Sequence, residues 1–309
     1  MQTRDIQYVI AIADTGSFSK AAESLFISQS ALSQSIQRLE AELGVTLFHR
    51  ARKTTLTFAG EEFVRDGREI LQRTKQLQKK MNDIKELKTG VLKIGISQFY
   101  GRYYFSSLIT PFRAAYPHVQ LKLYEEISAS LERMLAEGEL DCAIFSLPLS
   151  SPLLEAIPLF QEDILLAVPS THPLAENYPQ ALPHFPYIDL SRVREDPFIL
   201  FPEGQRMRTI VMDICLHVGF TPSIQFESRS AETIHMLIQN GMGVGFIPQA
   251  VLSTTQPDVS KCVYFRVPDM LARRTFVIAH AKDGYLSQAA KAFIQIAQTH
   301  PPLLEPENR

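Results

Sequence analysis

Between Ser28 and Gly44 the residues with useful chemistry are short and uncharged: Gln29, Ser30, Ser33, Gln34 and Gln37, interleaved with Leu32, Ile36, Leu39 and Leu43. The apolar set recurs at i, i+4, i+7 and i+11. At about 100° per residue this is one narrow helical stripe, with the Ser and Gln side chains on the opposite face. A face made only for solubility more often carries Glu and Lys. Hydroxyls and carboxamides both donate and accept hydrogen bonds, which is what reading base edges in a major groove requires. The preceding helix, about Ser19 to Leu25, is small-sided at Ala21 and Ala22, and Ser17 and Ser28 are placed to cap the two helices. The pair reads as a helix-turn-helix whose recognition helix runs from about Gln29 to Glu42; the bland alternative is two ordinary helices of a bundle. The next segment weighs against the bland reading. His49, Arg50, Arg52 and Lys53 form a basic cluster followed by a Thr-rich, strand-like run. A β-hairpin here would be a wing whose cations sit beside phosphates or in a minor groove.

A second set of candidates comes from position. In open α/β sheets, ligands collect at the carboxyl ends of strands and the N-termini of the helices that follow, where unpaired N–H groups favour a carboxylate or phosphate. In the C-terminal two-thirds this rule selects Ser97, Gln98, Phe99, Ser128 and Ser130, then Phe201, Glu203, Gln205 and Ser228, with Phe145 and Ile247 as a floor. Each serine alone reads equally as a helix cap. Arg102, Arg206 and Arg208 would add charge for an anion, whereas Glu203 would select an amine. Other motifs fail. NGMGVG at 240–245 follows a helix and opens a strand, the wrong context for cradling a pyrophosphate, and Gly241 as a helix terminator explains it better. There is no GxSxG, HExxH or P-loop, and the eight histidines are scattered. The expectation is no catalytic set, no metal and no cofactor.

These residues need elements to hold them. A first helix spans Ile6 to Ala13. A proline-free stretch from Gly60 to about Lys88 repeats Phe63, Ile70, Leu77 and Ile84 every seven residues, widened by Val64, Leu71, Met81 and Leu87. That is the pattern of a long helix pairing with a partner helix. Beyond Thr89-Gly90 the texture becomes strands alternating with helices: strands at 91–97, 119–126 and 140–145, with helices at 102–116 and 128–137 between them. A second unit starts near Glu162, with strands at 163–169, 197–201, 223–228 and 244–248, helices at 205–218 and 231–240, two more strands at 261–267 and 274–281, and a last helix at 286–299.

The string GSFSKAAESLFISQSALSQSIQRLEAELGVTLFHRARKTTLTFAGEEF resembles the winged helix-turn-helix of the LysR-type transcriptional regulators, in the pattern A-A-x-x-L, S-Q-S-A-L-S-x-x-I-x-x-L-E-x-x-L-G-x-x-L-F-x-R and L-T-x-A-G. The resemblance covers nearly the whole chain. It implies an α+β and α/β architecture: a winged helix-turn-helix at 1–62, a linker and dimerisation helix at 63–89, and a two-lobed, periplasmic-binding-protein-like effector domain at 90–301. Lobe I would be 90–161 with 268–301 and lobe II 162–267, the two crossing points resting on the resemblance alone. It implies base contacts at Gln29, Ser30, Ser33 and Gln34, and backbone or minor-groove contacts at Arg50, Arg52 and Lys53. Many relatives carry Arg where this chain has Gln34, which suggests a different base preference, such as adenine. The implied partners are promoter DNA, a small-molecule effector such as an anion or carboxylate bound around Ser97, Ser128 and Phe201, a homodimer assembling to a homotetramer, and RNA polymerase. The peroxide-sensing branch of the family uses two cysteines close in sequence, and this chain has no such pair.

Bulk properties set the remaining bounds. A chain of 309 residues holds about two domains. The net charge of −2 gives no global field for nucleic acid, so DNA affinity must come from local cations and dimerisation. Cys142, Cys215 and Cys262 lie far apart without metal spacing and read as structural. No apolar run is long enough to span a bilayer and no signal peptide is evident, so a cytoplasmic location without membrane contact is expected. The rival class is an enzyme or solute-binding protein with a helical appendage; a further rival is a regulator that needs no effector.

Overall fold

The computed structural model describes residues 1–50, 54–85, 90–178, 185–254 and 259–302. The chain divides into two compact units, Met1–Lys85 and Glu86–Arg309.

In the first unit, α1 (Thr3–Thr15), α2 (Phe18–Ser24) and α3 (Gln29–Leu43) precede a hairpin of β1 (Phe48–Arg50) and β2 (Thr54–Leu56), and α4 (Phe58–Lys85) closes it. The expected caps form: the Ser17 hydroxyl accepts from the Lys20 N–H and that of Ser28 from the Ala31 N–H. Ala21 and Ala22 are buried, which lets α2 lie close to α3, and Leu32, Ile36 and Leu39 enter a core shared with Ile6, Val9 and Ile12 of α1. Leu43 does not follow its stripe. It is 38% exposed, because the helix ends at Gly44, and it faces an apolar groove with Met1, Val45 and Ile70. The long helix starts at Phe58, inside the stretch that the sequence reading gives to the winged module. The Thr57 hydroxyl accepts the Gly60 N–H and acts as its cap. Leu87, Lys88 and Thr89 lie outside the described residues.

The second unit opens with β3 (Gly90–Ile96), α5 (Gln98–Tyr103), α6 (Phe105–Ala115), β4 (Val119–Glu125), α7 (Ser128–Ala136) and β5 (Cys142–Ser146). Where the sequence suggests one helix from Arg102, there are two, and α5 begins at Gln98. Next comes β6 (Leu154–Pro169), a single long strand whose first half the sequence reading leaves out. Then follow β7 (Pro197–Leu200), α8 (Arg206–His217), β8 (Ser223–Glu227), α9 (Ala231–Gln239), β9 (Gly245–Pro248), α10 (Ala250–Thr254), β10 (Cys262–Phe265), β11 (Arg273–Ala281) and α11 (Gln288–Thr299).

The central sheet runs β10-β6-β11-β5-β3-β4, with β9 also on β6. The first half of β6, Leu154 to Asp163, pairs antiparallel with β11, and its second half, Ile164 to Pro169, pairs with β9 and β10. One strand therefore belongs to two lobes. The first lobe's cores hold Leu92, Ile94, Phe112, Phe145 and Phe293; the second lobe's core holds Phe198, Ile199, Ile234, Phe246 and Phe265. Phe99 of α5 packs against cores of both lobes.

The glycine run after α9 has a packing role. Gly241 takes φ +77 after the helix, while a Cβ on Gly243 or Gly245 would lie 2.3 Å from the Pro197 carbonyl oxygen or 2.5 Å from that of Ile199. The glycines let this segment lie against β7. Gly245→Ala should destabilise the chain by roughly 1–3 kcal/mol through overpacking, measured as a lower urea midpoint at unchanged slope.

His235 of α9 is buried, 2.7 Å from the Tyr264 hydroxyl, and burial lowers its pKa to about 4 from the ordinary 6.5. Below pH 6.5 the unfolded chain takes up this proton and the folded chain does not. The stabilisation is complete above pH 6.5 and is lost as the pH falls to about 4, for a total on the order of 3 kcal/mol. Urea midpoints between pH 7 and 4 should fall accordingly, and His235→Gln should flatten part of that slope.

Candidate functional site

On the first unit, α3 presents Gln29, Ser30, Gln34 and Gln37 to solvent, with Ser33 half-buried on the same side. The amphipathic period imposes this: with Leu32, Ile36 and Leu39 fixed in the core, Gln29, Ser30, Gln34 and Gln37 fall on the exposed side. Two hydrogen bonds order the N-terminal end of that face. The Ser19 hydroxyl of α2 donates to Gln29 Oε1 at 2.9 Å, and the Ser28 and Ser30 hydroxyls are 3.1 Å apart. Sequence reasoning missed Ser19; its place at the start of α2, one residue after Phe18, was the available signal. Arg50 ends β1 and His49 is exposed, while Arg52 and Lys53 lie outside the described residues. The hairpin register sets Phe48 opposite Leu56 and Arg50 opposite Thr54.

On the second unit, a cavity of about 210 Å³ opens between the lobes. Ser97, Gln98, Phe99, Ser128, Phe201 and Gln205 line it, as the strand-end rule selects, and so does Arg206. Five candidates do not. Phe145 and Ile247 are fully buried in the cores of the two lobes. Glu203 is exposed outside the cavity, Ser130 lies deeper along α7, and the Ser228 hydroxyl accepts the Ser230 N–H. Arg208 turns away to Glu227 and the Phe201 carbonyl, and Arg102 reaches Glu232. Wall residues that the rule did not select include Tyr100, Glu125, Glu126, Ser146, Arg229 and Arg274.

The cavity floor carries a buried charge pair. Arg274 of β11 and Glu162 of β6 are 2.7 Å apart, at 8% and 0% side-chain exposure. The guanidinium lies over the Phe276 ring at 4.8 Å and also reaches the Tyr100 hydroxyl at 3.4 Å. Glu162 accepts in addition the Ala250 N–H at 3.0 Å. Burial works against the Arg274 charge, but the adjacent Glu162 outweighs it and the pKa is raised. Burial, reinforced by Glu162, pushes the Tyr100 phenol well above its usual value, so it stays protonated at neutral pH. These groups are held as hydrogen-bonding scaffold and not as acid or base. The three cysteines are buried, and burial pushes the thiols of Cys215 and Cys262 up to about 12. Among the described residues no cluster of His, Cys, Asp and Glu could hold a metal ion, and no helix is long and apolar enough to cross a membrane.

Both units match known families. Residues 3–61 match the bacterial regulatory helix-turn-helix proteins of the lysR family, and residues 85–302 match the LysR substrate binding domain. The chain is 37% identical to the uncharacterized HTH-type transcriptional regulator YcgK of Bacillus subtilis, over 96% of this chain and 94% of that one. It is 31% identical to the DNA-binding transcriptional dual regulator OxyR of Escherichia coli, over 80% of this chain and 79% of the relative. Among solved structures, a cysteine-to-aspartate variant of full-length OxyR from Pseudomonas aeruginosa superposes with a TM-score of 0.66 at 25% identity, covering 97% of this chain and 99% of that one. The chain belongs to the LysR family. It is a DNA-binding transcriptional regulator with an effector-binding domain, and the family consists of regulators and not enzymes.

Removing Arg274 alone would leave Glu162 as a buried, uncompensated charge. Arg274→Met should therefore cost roughly 3–5 kcal/mol of stability, and adding Glu162→Gln should recover much of it; denaturant unfolding of the two variants measures the difference.

Proposed function

We propose that this chain reads promoter DNA through the outer face of α3 and responds to a small molecule held between the lobes of its second unit. The observation that carries the first part is the ordered Ser–Gln face of α3, free of acidic groups at Gln29, Ser30, Ser33, Gln34 and Gln37. In this reading Gln34 pairs with an adenine edge, and Arg50, Arg52 and Lys53 neutralise phosphates or enter a minor groove. The second part is supported by cleft-lining hydroxyls without a hydrogen-bond partner among the described residues. Ser97 is the N-cap residue of α5 yet makes no cap hydrogen bond, and Ser128 opens α7 on the opposite side of the cavity. The effector is a small anion or carboxylate in this reading. Its occupancy is linked thermodynamically to operator affinity.

The working unit is a homodimer assembling to a homotetramer. Ile70, Leu77 and Met81 support this: they leave an apolar stripe 43–59% exposed along α4, continuous with the groove at Leu43 and Val45. The protein works in the cytoplasm and contacts RNA polymerase. Thiol-based peroxide sensing, which the names of several relatives suggest, is not supported here. The cysteines are buried and two of them are held as thiols, whereas reactive cysteines are exposed and of low pKa.

Ser33→Ala or Gln34→Ala should weaken binding to the chain's own promoter by roughly 1–3 kcal/mol and relax sequence preference. Arg52→Ala should weaken binding to all duplexes and reduce the salt dependence. Fluorescence anisotropy across a salt series checks both. Unchanged operator affinity in the Ser33 and Gln34 variants would remove α3 as the reading element.

A further inference from the structure

Among the described residues, two ion pairs cross the cleft with opposite polarity. Arg206 of α8, in the second lobe, places Nη2 2.9 Å from Oε1 of Glu132, on α7 of the first. Arg102 of α5, in the first lobe, reaches Glu232 of α9 in the second at 3.1 Å. They are not equivalent. Arg102 is 70% exposed, so water screens its pair. The Glu132 side chain is 5% exposed, and its other oxygen accepts the N–H groups of Ser150 at 2.7 Å and Ser151 at 3.3 Å. This anchored carboxylate holds one edge of the Arg206 fork. The other terminal nitrogen, Nη1, is buried and has no hydrogen-bond partner among the described residues, although Arg206 stands in the cavity wall.

A second donor lines the same space. Ser146, at the end of β5, is in the cavity wall, and its hydroxyl has no partner among the described residues. A buried donor left unpaired, as Arg206 Nη1 is, is costly, so an acceptor brought to it would be favoured. The helices that meet here add to this. α7 starts after Ile127 and α8 after Gln205, and neither N-cap residue supplies a side-chain bond, so first-turn N–H groups of both lobes are left uncapped. The rim is mainly acidic: Glu125 and Glu126 line the cavity against the exposed Arg229, and neither carboxylate makes an ion pair among the described residues. Arg274 does not offset them, because Glu162 already neutralises it. The volume, about 210 Å³, is below the roughly 300 Å³ at which pockets for drug-sized molecules begin.

We propose that the cleft takes a small zwitterion, a free amino acid or an amino-carboxylate of similar size. Its carboxylate is taken by Arg206 Nη1 and the Ser146 hydroxyl, and its ammonium group by Glu125 and Glu126. Arg206 is the specificity-determining residue. Glu132 is a positioning residue that fixes the guanidinium plane so that its free edge faces the ligand. The ligand then sits on a cation already tied across the lobes, so occupancy strengthens the link between α7 and α8. This rests on the reading of the cleft as the effector site.

The test uses the full-length protein and a thermal-shift panel of the twenty amino acids at millimolar concentration. Each is compared at equal ionic strength with its deaminated carboxylate and its decarboxylated amine, so that general salt effects cancel. At least one amino acid should raise Tm by several degrees while its two truncated forms do not. The shift should vanish in Arg206→Gln and fall at least tenfold in apparent affinity in Glu125→Gln/Glu126→Gln. The double variant alters only exposed rim residues and keeps the test informative if Arg206→Gln does not fold. Arg206→Lys, which keeps the charge and loses the fork, should bind more weakly than wild type. Equal shifts from the carboxylate alone, from the amine alone, or from no amino acid overturn the proposal. A carboxylate-only response that Ser97→Ala abolishes would leave the cleft as effector site and remove only the ligand class, and promoter binding by anisotropy decides the regulator reading separately.

Discussion

The second unit depends on one strand being shared by two lobes. β6 enters paired with β11 and leaves paired with β9 and β10, and the change of partners falls between Asp163 and Ile164. Both acids at that point are engaged. Glu162 turns inward to Arg274, and Asp163 turns to the other face, where Arg266 and Arg273 approach it at 3.0 and 2.9 Å. Neighbouring residues on a strand point to opposite faces, so the two carboxylates pin the crossing from both sides. Relative movement of the lobes must bend the chain here and where β11 begins. The cleft walls inherit their spacing from this crossing, since Arg274 and Phe276 belong to the same strand pair.

Much of this was legible because the strongest patterns in the sequence are local. The α3 stripe specifies a helix and its outward face together, and the caps at Ser17 and Ser28 need only short-range chemistry. The first half of β6 was not legible. Pro158 and the mixed run of Glu155, Gln161 and Glu162 break the alternation of a half-buried strand, and what holds the segment extended is β11, more than a hundred residues later. Propensity cannot report a partner so far away.

Two of the misplaced cleft residues share one cause. Phe145 and Ile247 are in the core, and the cavity is lined instead by Ser146 and Pro248, each one position on. With a side-chain period of two, a slip of one residue exchanges core for cleft. β5 and β9 are buried at every position, so their sequences carry no alternation to fix the phase. The rule for strand ends located the cavity, while the choice of residue within it required coordinates.

The energetic role left to a ligand follows from contacts the protein already makes. Phe99 packs into cores of both lobes, and Arg206–Glu132 and Arg102–Glu232 span the cleft between them. A ligand can shift a conformational equilibrium only by its differential affinity for the two states. Closing the lobes is therefore not what its binding energy must supply. On the proposed reading, what it would add is partners for groups that this arrangement leaves unsatisfied, Arg206 Nη1 above all. In an arrangement with the lobes apart those groups would meet water, and the ligand would gain little by touching them. The difference between these two situations, set by desolvation and not by the number of contacts, is the free energy available for transmission to DNA affinity.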